Sequence, residues 1–330
     1  MNTGARPVLK WAGGTGQLLG QLEAALPARL TRGEEFTYVE PFVGGGAMLF
    51  FMLQRFPNIR RVVINDINPH LTQAYRTVRD EAEALVARLK EMERLYFELQ
   101  SEEVRKAFYL TQREAFNRGG YDAVEGTALL MFLNRTCFNG LYRENSHGAF
   151  NVPFGRYANP NISNEEVIRA DSALLQLAEI EILNGDFAAA VDRAIDLKEN
   201  LMFCYFDPPY RPLSATSSFN SYVKEAFNDD EQRRLAALCR QLSLRGDCLW
   251  MLSNSDCSAA NQEDTFFENL YEGFDIHRVY ASRSVNANAS KRGKLTELLI
   301  RNYVKQPTKP EEMPIRTAAI PQAFQVCINF

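Results

Sequence analysis

Short apolar runs alternate with longer amphipathic stretches along the chain. Thr37-Tyr-Val-Glu-Pro-Phe-Val43 is rich in β-forming residues and runs into Gly44-Gly45-Gly46. Ala47 to Arg55 reads as a helix, and Arg61 to Ile64 as a second strand ending at Asn65-Asp66. A strand, a glycine turn, a helix and a strand open a parallel α/β sheet. From about His70 to Arg118 the spacing becomes helical, as in Leu85, Leu89, Met92 and Leu95. Ala128 to Leu133 continues it, and a polar, glycine-punctuated stretch follows from Asn134 to Pro160. Apolar runs then return. Glu179 to Leu183, Leu201 to Phe206, Cys248 to Leu252, Asp275 to Tyr280 and Leu295 to Tyr303 are expected strands. Asp229 to Leu242 is expected as a helix capped by Asn228. The pattern predicts one discontinuous α/β unit, residues 1–74 and 166–305, around a mainly helical insertion at 75–165. Prolines 307, 310, 314 and 321 break any element beyond, so 306–330 is expected to be a loosely ordered tail.

Composition narrows this picture. The 330 residues are 46% hydrophobic and 24% charged, an ordinary globular balance. The net charge of −4 excludes a uniformly basic nucleic-acid binder but allows a local basic face. The longest apolar run, Ala47 to Leu53, is seven residues, too short to span a membrane. Met1 to Lys10 carries no apolar signal core, so a cytoplasmic location is expected. The 6 cysteines and 3 histidines show no metal-ligand spacing and no HExxH, so no metal is expected.

Two motifs carry chemistry. Phe42-Val-Gly-Gly-Gly46 ends the first strand, where glycines let backbone turn sharply and approach a ligand. The lysine of a P-loop is missing, which disfavours a nucleoside triphosphate. Asp66 ends the second strand, where an acid suits the hydroxyls of a ribose. Alone, this pair could equally be a tight turn and a capping aspartate. The second motif is Asp207-Pro208-Pro209-Tyr210, directly after an apolar strand. Its prolines stiffen the turn and remove two N–H donors. The Asp207 carboxylate and the Pro208 carbonyl remain as acceptors, with Tyr210 as a flat stacking face. That combination suits a planar ring bearing an exocyclic amine.

Together these features resemble an amino-group DNA methyltransferase, and more closely the Dam family of N6-adenine enzymes (D12 class, alpha group). The resemblance covers about residues 8 to 305. Lys10-Trp-Ala-Gly-Gly14 resembles the family's N-terminal motif, and Glu40-Pro-Phe-Val-Gly-Gly-Gly46 its cofactor loop. Asn65-Asp66 resembles its ribose site and Asp207 to Tyr210 its catalytic motif. Asn139-Gly-Leu-Tyr-Arg143 and Phe150-Asn-Val-Pro-Phe-Gly-Arg-Tyr157 resemble its DNA-reading segments. The resemblance implies a Rossmann-like catalytic domain, a target-recognition insertion, and S-adenosylmethionine as methyl donor. Trp11, Thr15, Phe42, Gly44, Gly46, Asp66, Asp186, Phe187 and Asp207 would line the cofactor. Thr15 departs from the lysine of many relatives, which predicts weaker cofactor binding or a substitute nearby.

The resemblance also implies double-stranded DNA as partner and 5′-GATC-3′ as site, with the adenine flipped out of the helix. Arg143 would read a guanine, Lys10 the outer guanine, and Leu141 with Pro153 a thymine. Phe138 and Asn139 would wedge near the flipped base, with Arg135, Arg156 and Tyr157 in the same cluster. An ion pair with Glu144 is the plainer use of Arg143. Arg278 to Lys305 carries seven basic residues and one acid, and Lys291, Arg292 and Lys294 suit DNA phosphates. A cognate restriction endonuclease is a possible partner, and a monomer or weak dimer is expected. The competing readings are N4-cytosine methylation and a catalytically silent DNA-binding protein. Asp207 argues against the first, since relatives of that kind usually begin the motif with serine. The intact Asp207-to-Tyr210 motif argues against the second.

Overall fold

The computed structural model describes residues 4–11, 16, 18–177, 179–197, 201–213, 227–281 and 295–304. Two short helices, α1 (Leu19–Ala25) and α2 (Ala28–Thr31), precede strand β1 (Phe36–Glu40). Then come α3 (Ala47–Arg55), β2 (Ile59–Asp66) and α4 (Pro69–Asp80). Helices α5 (Ala82–Glu98), α6 (Glu102–Arg118) and α7 (Ala123–Thr136) follow, and a 3-10 turn spans Phe138–Gly140. The chain returns through α8 (Glu165–Gln176), β3 (Glu179–Asn184), α9 (Phe187–Asp196) and β4 (Met202–Phe206). It continues with α10 (Asp229–Ser243), β5 (Cys248–Ser255), α11 (Cys257–Ala260), α12 (Phe266–Leu270), β6 (Asp275–Ala281) and β7 (Leu295–Arg301).

The strands form one sheet in the order β3-β2-β1-β4-β5-β7-β6. The first five in that order are parallel, and β7 lies antiparallel between β5 and β6. Every residue of β1 and β4 is buried, as expected for parallel strands covered on both faces. Alternate side chains divide between two cores. Tyr38, Val62, Ile64, Phe203 and Tyr205 face one core, and Val39, Val63, Cys204, Phe206 and Trp250 the other. The strand order reverses between β1 and β4, the position where open α/β sheets bind ligands.

The expected strands and the capped helix at α10 are present. Asn228 accepts from the N–H groups of Asp230 and Glu231. The expected boundaries of the insertion fall inside α4 and at the first residue of α8. Leu85, Leu89, Tyr96, Tyr109 and Phe132 of the insertion join the same core as Leu49 and Ile64. The insertion therefore leans on the sheet's core. Its loop, residues 137–164, has only two isolated β-bridges, Cys137 to Phe154 and Glu144 to Phe150. Side chains of α6 replace the missing ladder. Tyr109 donates to the Val152 carbonyl at 2.7 Å, and Asn117 bonds both N–H and C=O of Phe150 at 2.8 and 3.0 Å. The tail from residue 306 lies outside the described residues. Among the described residues, no helix is long and apolar enough to cross a membrane.

Candidate active site

The turn after β1 is held from several directions. The Val43 N–H donates to the Asn65 carbonyl at 2.9 Å, and the Gly46 N–H to the Val43 carbonyl at 2.8 Å. Asp66 accepts from the N–H groups of Gly44 at 3.0 Å and Asn68 at 2.9 Å. Burial raises its pKa, and these backbone donors pull it back down. The Tyr75 hydroxyl donates to the Gly44 carbonyl at 2.9 Å. Gly46 has φ +80°, and a Cβ there would lie 2.4 Å from that hydroxyl. Only glycine fits this place, on conformation and on space. Trp11 walls the other side, 3.2 Å from where a Gly44 Cβ would sit, and stacks on Tyr142 at 4.9 Å. Phe42, Phe187 and Phe227 form an aromatic group with centroids 5.2 to 5.8 Å apart. Asp186 caps α9 through the Ala188 N–H and pairs with Arg234, which holds its pKa down. Thr15 lies outside the described residues.

The second motif leaves β4 beside this loop. Gln232 donates to the Pro209 carbonyl at 3.1 Å, and the Asn254 side-chain carbonyl accepts from the Arg211 N–H at 3.2 Å. Gln232 and Asn254 are fully buried and bond each other at 3.2 Å. The Arg211 guanidinium ties the loop exit to Asp229 at 2.8 Å and Asp264 at 2.6 Å. The Tyr210 hydroxyl donates to Glu297 of β7 at 2.9 Å. Asp207 Oδ1 is buried with no hydrogen-bond partner. Burial and the nearby Glu297 carboxylate raise the Asp207 pKa to about 8, against a lowering contact with Tyr210. Glu40, at the tip of β1, is buried and also raised, first by desolvation. Three acids thus lie close enough to feel one another beside the strand tips; Tyr38 donates to Glu40 and Tyr210 to Glu297.

The DNA-reading candidates gather around the 3-10 turn. Phe138, Leu141, Arg143, Pro153 and Arg156 are exposed. The Phe138 N–H donates to the Pro153 carbonyl at 2.8 Å, and the Asn139 N–H to the Tyr157 hydroxyl at 3.0 Å. The ammonium of Lys10 lies 5.8 Å over the Tyr157 ring. Arg143 Nε bonds Asn151 at 2.7 Å, while Glu144 accepts from Tyr142, so the ion pair with Glu144 is not formed. Arg135 turns inward and donates to the Val8 carbonyl. Of the basic residues in 278–305, Arg278 pairs with Asp256 and Glu268, and Arg301 with Asp275. Lys291, Arg292 and Lys294 lie outside the described residues.

The family model for D12 class N6 adenine-specific DNA methyltransferases matches residues 11–285. The chain belongs to that family. A type II methyltransferase of Methanocaldococcus jannaschii, M.MjaIII, is 46% identical over 301 residues, 90% of this chain and 99% of the relative. A type II methyltransferase of Lactococcus lactis subsp. cremoris, M1.LlaDCHI, is 40% identical over 301 residues, 90% and 95% of the two chains. A DNA adenine methylase of Escherichia coli K12 is 33% identical over 295 residues, 89% and 94%. The protein is therefore an adenine-specific DNA methyltransferase with the family's S-adenosylmethionine-dependent fold.

Several residues that hold the two motifs in place carry no signal within them. Tyr75 and Glu297 come from α4 and β7 and meet the motifs only through the fold. Gln232 and Asn254 are single amides in α10 and β5. Glu40 was visible, since it begins the cofactor-loop motif, yet only burial sets it apart from a surface acid.

Proposed function

We propose that the enzyme methylates N6 of the adenine in 5′-GATC-3′, after that base swings out of the duplex into the pocket beside the β1 and β4 tips. The orphaned Asp207 Oδ1 carries this reading. A buried oxygen without a donor costs about 1–3 kcal/mol, and an entering exocyclic amine supplies the missing donor. Adenine N6 is a weak nucleophile because its lone pair is delocalised into the ring. The Asp207 carboxylate and the Pro208 carbonyl draw N6 towards a tetrahedral shape and localise that pair. Pro209 stiffens the loop. Tyr210, its hydroxyl fixed by Glu297, offers its ring to the purine. S-adenosylmethionine, when bound, would supply a methyl group on a positively charged sulfur that departs as a neutral thioether; N6 gives up one proton to solvent, and no covalent enzyme intermediate is required.

Trp11, Phe42, Gly44, Gly46, Asp66, Asp186 and Phe187 are assigned to holding the cofactor, with Thr15 completing the set. The residues fit it: the tightly packed glycine turn brings backbone close, and Phe42 with Phe187 gives an apolar wall. On the DNA side, Arg143 reads a guanine, Lys10 the outer guanine, and Leu141 with Pro153 the thymine methyl. Phe138 and Asn139 fill the gap left by the base, flanked by Arg156 and Tyr157. Lys291, Arg292 and Lys294 are assigned to phosphates. Arg135, one of whose guanidinium nitrogens donates to the Val8 carbonyl, is assigned to the same DNA-facing cluster. The type II names of two relatives support a restriction endonuclease as functional partner. Incubation with tritiated S-adenosylmethionine and GATC or scrambled duplexes tests the assignment. Label on the GATC duplex alone is expected. Equal label on both would overturn the site.

A further inference from the structure

Asn134 is a polar residue in the last turn of α7, and 2% of its surface is exposed. Its side chain makes three hydrogen bonds, all to backbone of segments assigned to DNA. Its oxygen accepts from the Lys10 N–H at 2.8 Å. Its amide nitrogen donates to the Lys10 carbonyl at 2.9 Å and to the Gly140 carbonyl at 2.9 Å. The partners fix the amide's orientation, because a flipped amide would set NH2 against N–H and oxygen against two carbonyls. One side chain thus joins two segments far apart in sequence, the exposed Lys10 and the turn that presents Phe138 and Asn139. Gly140 closes the junction from the other side. A Cβ at Gly140 would lie 2.5 Å from Lys10 Cδ and 3.0 Å from Lys10 Cβ. The Arg135 guanidinium, on the Val8 carbonyl, holds the same stretch of backbone two residues earlier.

We infer that Asn134 is a positioning residue for sequence readout, setting where the Lys10 side chain leaves the backbone relative to the Phe138–Gly140 turn. This rests on the reading above in which Lys10 meets the outer guanine. A hydrogen bond to a base edge tolerates little displacement, so its discrimination depends on that backbone being fixed. Asparagine is the chemistry the junction needs. Aspartate, nearly identical in shape, keeps the acceptor for the Lys10 N–H but turns its second oxygen on two carbonyls.

The test compares methylation of a GATC duplex with that of a duplex whose outer G·C pair is exchanged for A·T. Discrimination is the ratio of the two kcat/KM values. Lys10→Ala is expected to lower this ratio about tenfold, the worth of one lost base contact. Asn134→Asp should lower it by a similar factor, through KM for DNA more than through kcat. The double variant should be no worse than Lys10→Ala alone, since both act through one contact. Gly140→Ala, which presses on Lys10 from the opposite side, should give the same loss and serves if Asn134→Asp does not fold. Full discrimination in a folded Asn134→Asp or Gly140→Ala protein, with Lys10→Ala impaired, would overturn the role of Asn134 alone. Full discrimination in Lys10→Ala would overturn the readout by Lys10, and this inference with it.

Discussion

The acidic site at the β1 and β4 tips and the surface around residues 138–157, proposed to read DNA, are built on opposite principles. The pocket concentrates unfavourable electrostatics. Glu40 and Asp207 are held with raised pKa values, Glu297 adds its charge, and Asp207 Oδ1 has no partner. The surface does the reverse. Its backbone is satisfied by Asn117, Tyr109 and Asn134, so that Phe138, Leu141, Arg143 and Arg156 can stand in solvent. A catalytic group gains from an environment that its substrate completes, and stability is lost in its empty state. A reading group gains from a rigid base and from neighbours that orient its tip, as Asn151 does for Arg143 and Glu102 for Arg156.

The largest effect should come from the pocket. Asp207→Ala removes the acceptor proposed for the reacting amine, and methyl transfer should fall by about 10³ with DNA binding changed only a few-fold. An active variant in the tritium assay would break the comparison at its centre. Next is pH. Asp207 titrates at about 8 and must be ionised to accept from the amine. Below that value kcat/KM should fall tenfold per pH unit, reaching about a hundredfold loss at pH 6. A profile flat from pH 6 to 9 would mean the carboxylate is not the acceptor.

Arg143→Ala tests the surface. It should lower kcat/KM on GATC about thirtyfold, yet change folding stability by less than about 0.5 kcal/mol. A large drop in stability would show that the surface is not decoupled from the fold. Gly46→Ala tests the scaffold of the pocket. A φ of +80° and a 2.4 Å approach to Tyr75 should cost about 2–3 kcal/mol in a urea melt.

A last comparison isolates burial from catalysis. Asp171 of α8 is fully buried and accepts from the Arg6 N–H at 2.9 Å. Its Oδ2 has no partner, and desolvation raises its pKa to about 8. A folded value above the unfolded one means stability is present at low pH and lost as pH rises towards 8. Asp171→Asn, which does not titrate, should therefore gain several degrees in Tm over the native protein between pH 5 and pH 8. Equal melting curves at pH 8 would show that the buried charge costs nothing.

Much of the sheet was legible because its strands are local apolar runs bounded by turns. The two chemical motifs were legible because each is contiguous and sits at a strand tip. Helices α8 and α9 were not, since the strand that follows α8 and the acid that caps α9 drew the reading instead. The partners of the motifs were hidden for a different reason. Tyr75 reaches Gly44, Gln232 reaches Pro209, and Glu297 reaches Tyr210 only after the chain has folded. Arg135 shows the same limit, since an arginine in a basic cluster gives no sign that its guanidinium will reach the Val8 carbonyl.

The position of β7 has a consequence for synthesis. It is the last of the described strands in sequence, yet it enters the sheet between β5 and β6 and brings Glu297 to Tyr210. During synthesis all five parallel strands leave the ribosome before β7 does. The phenol that the catalytic loop presents stays without its carboxylate until the last strand is in place. Chains cut short before residue 295 therefore carry every motif of the enzyme and still lack a finished pocket.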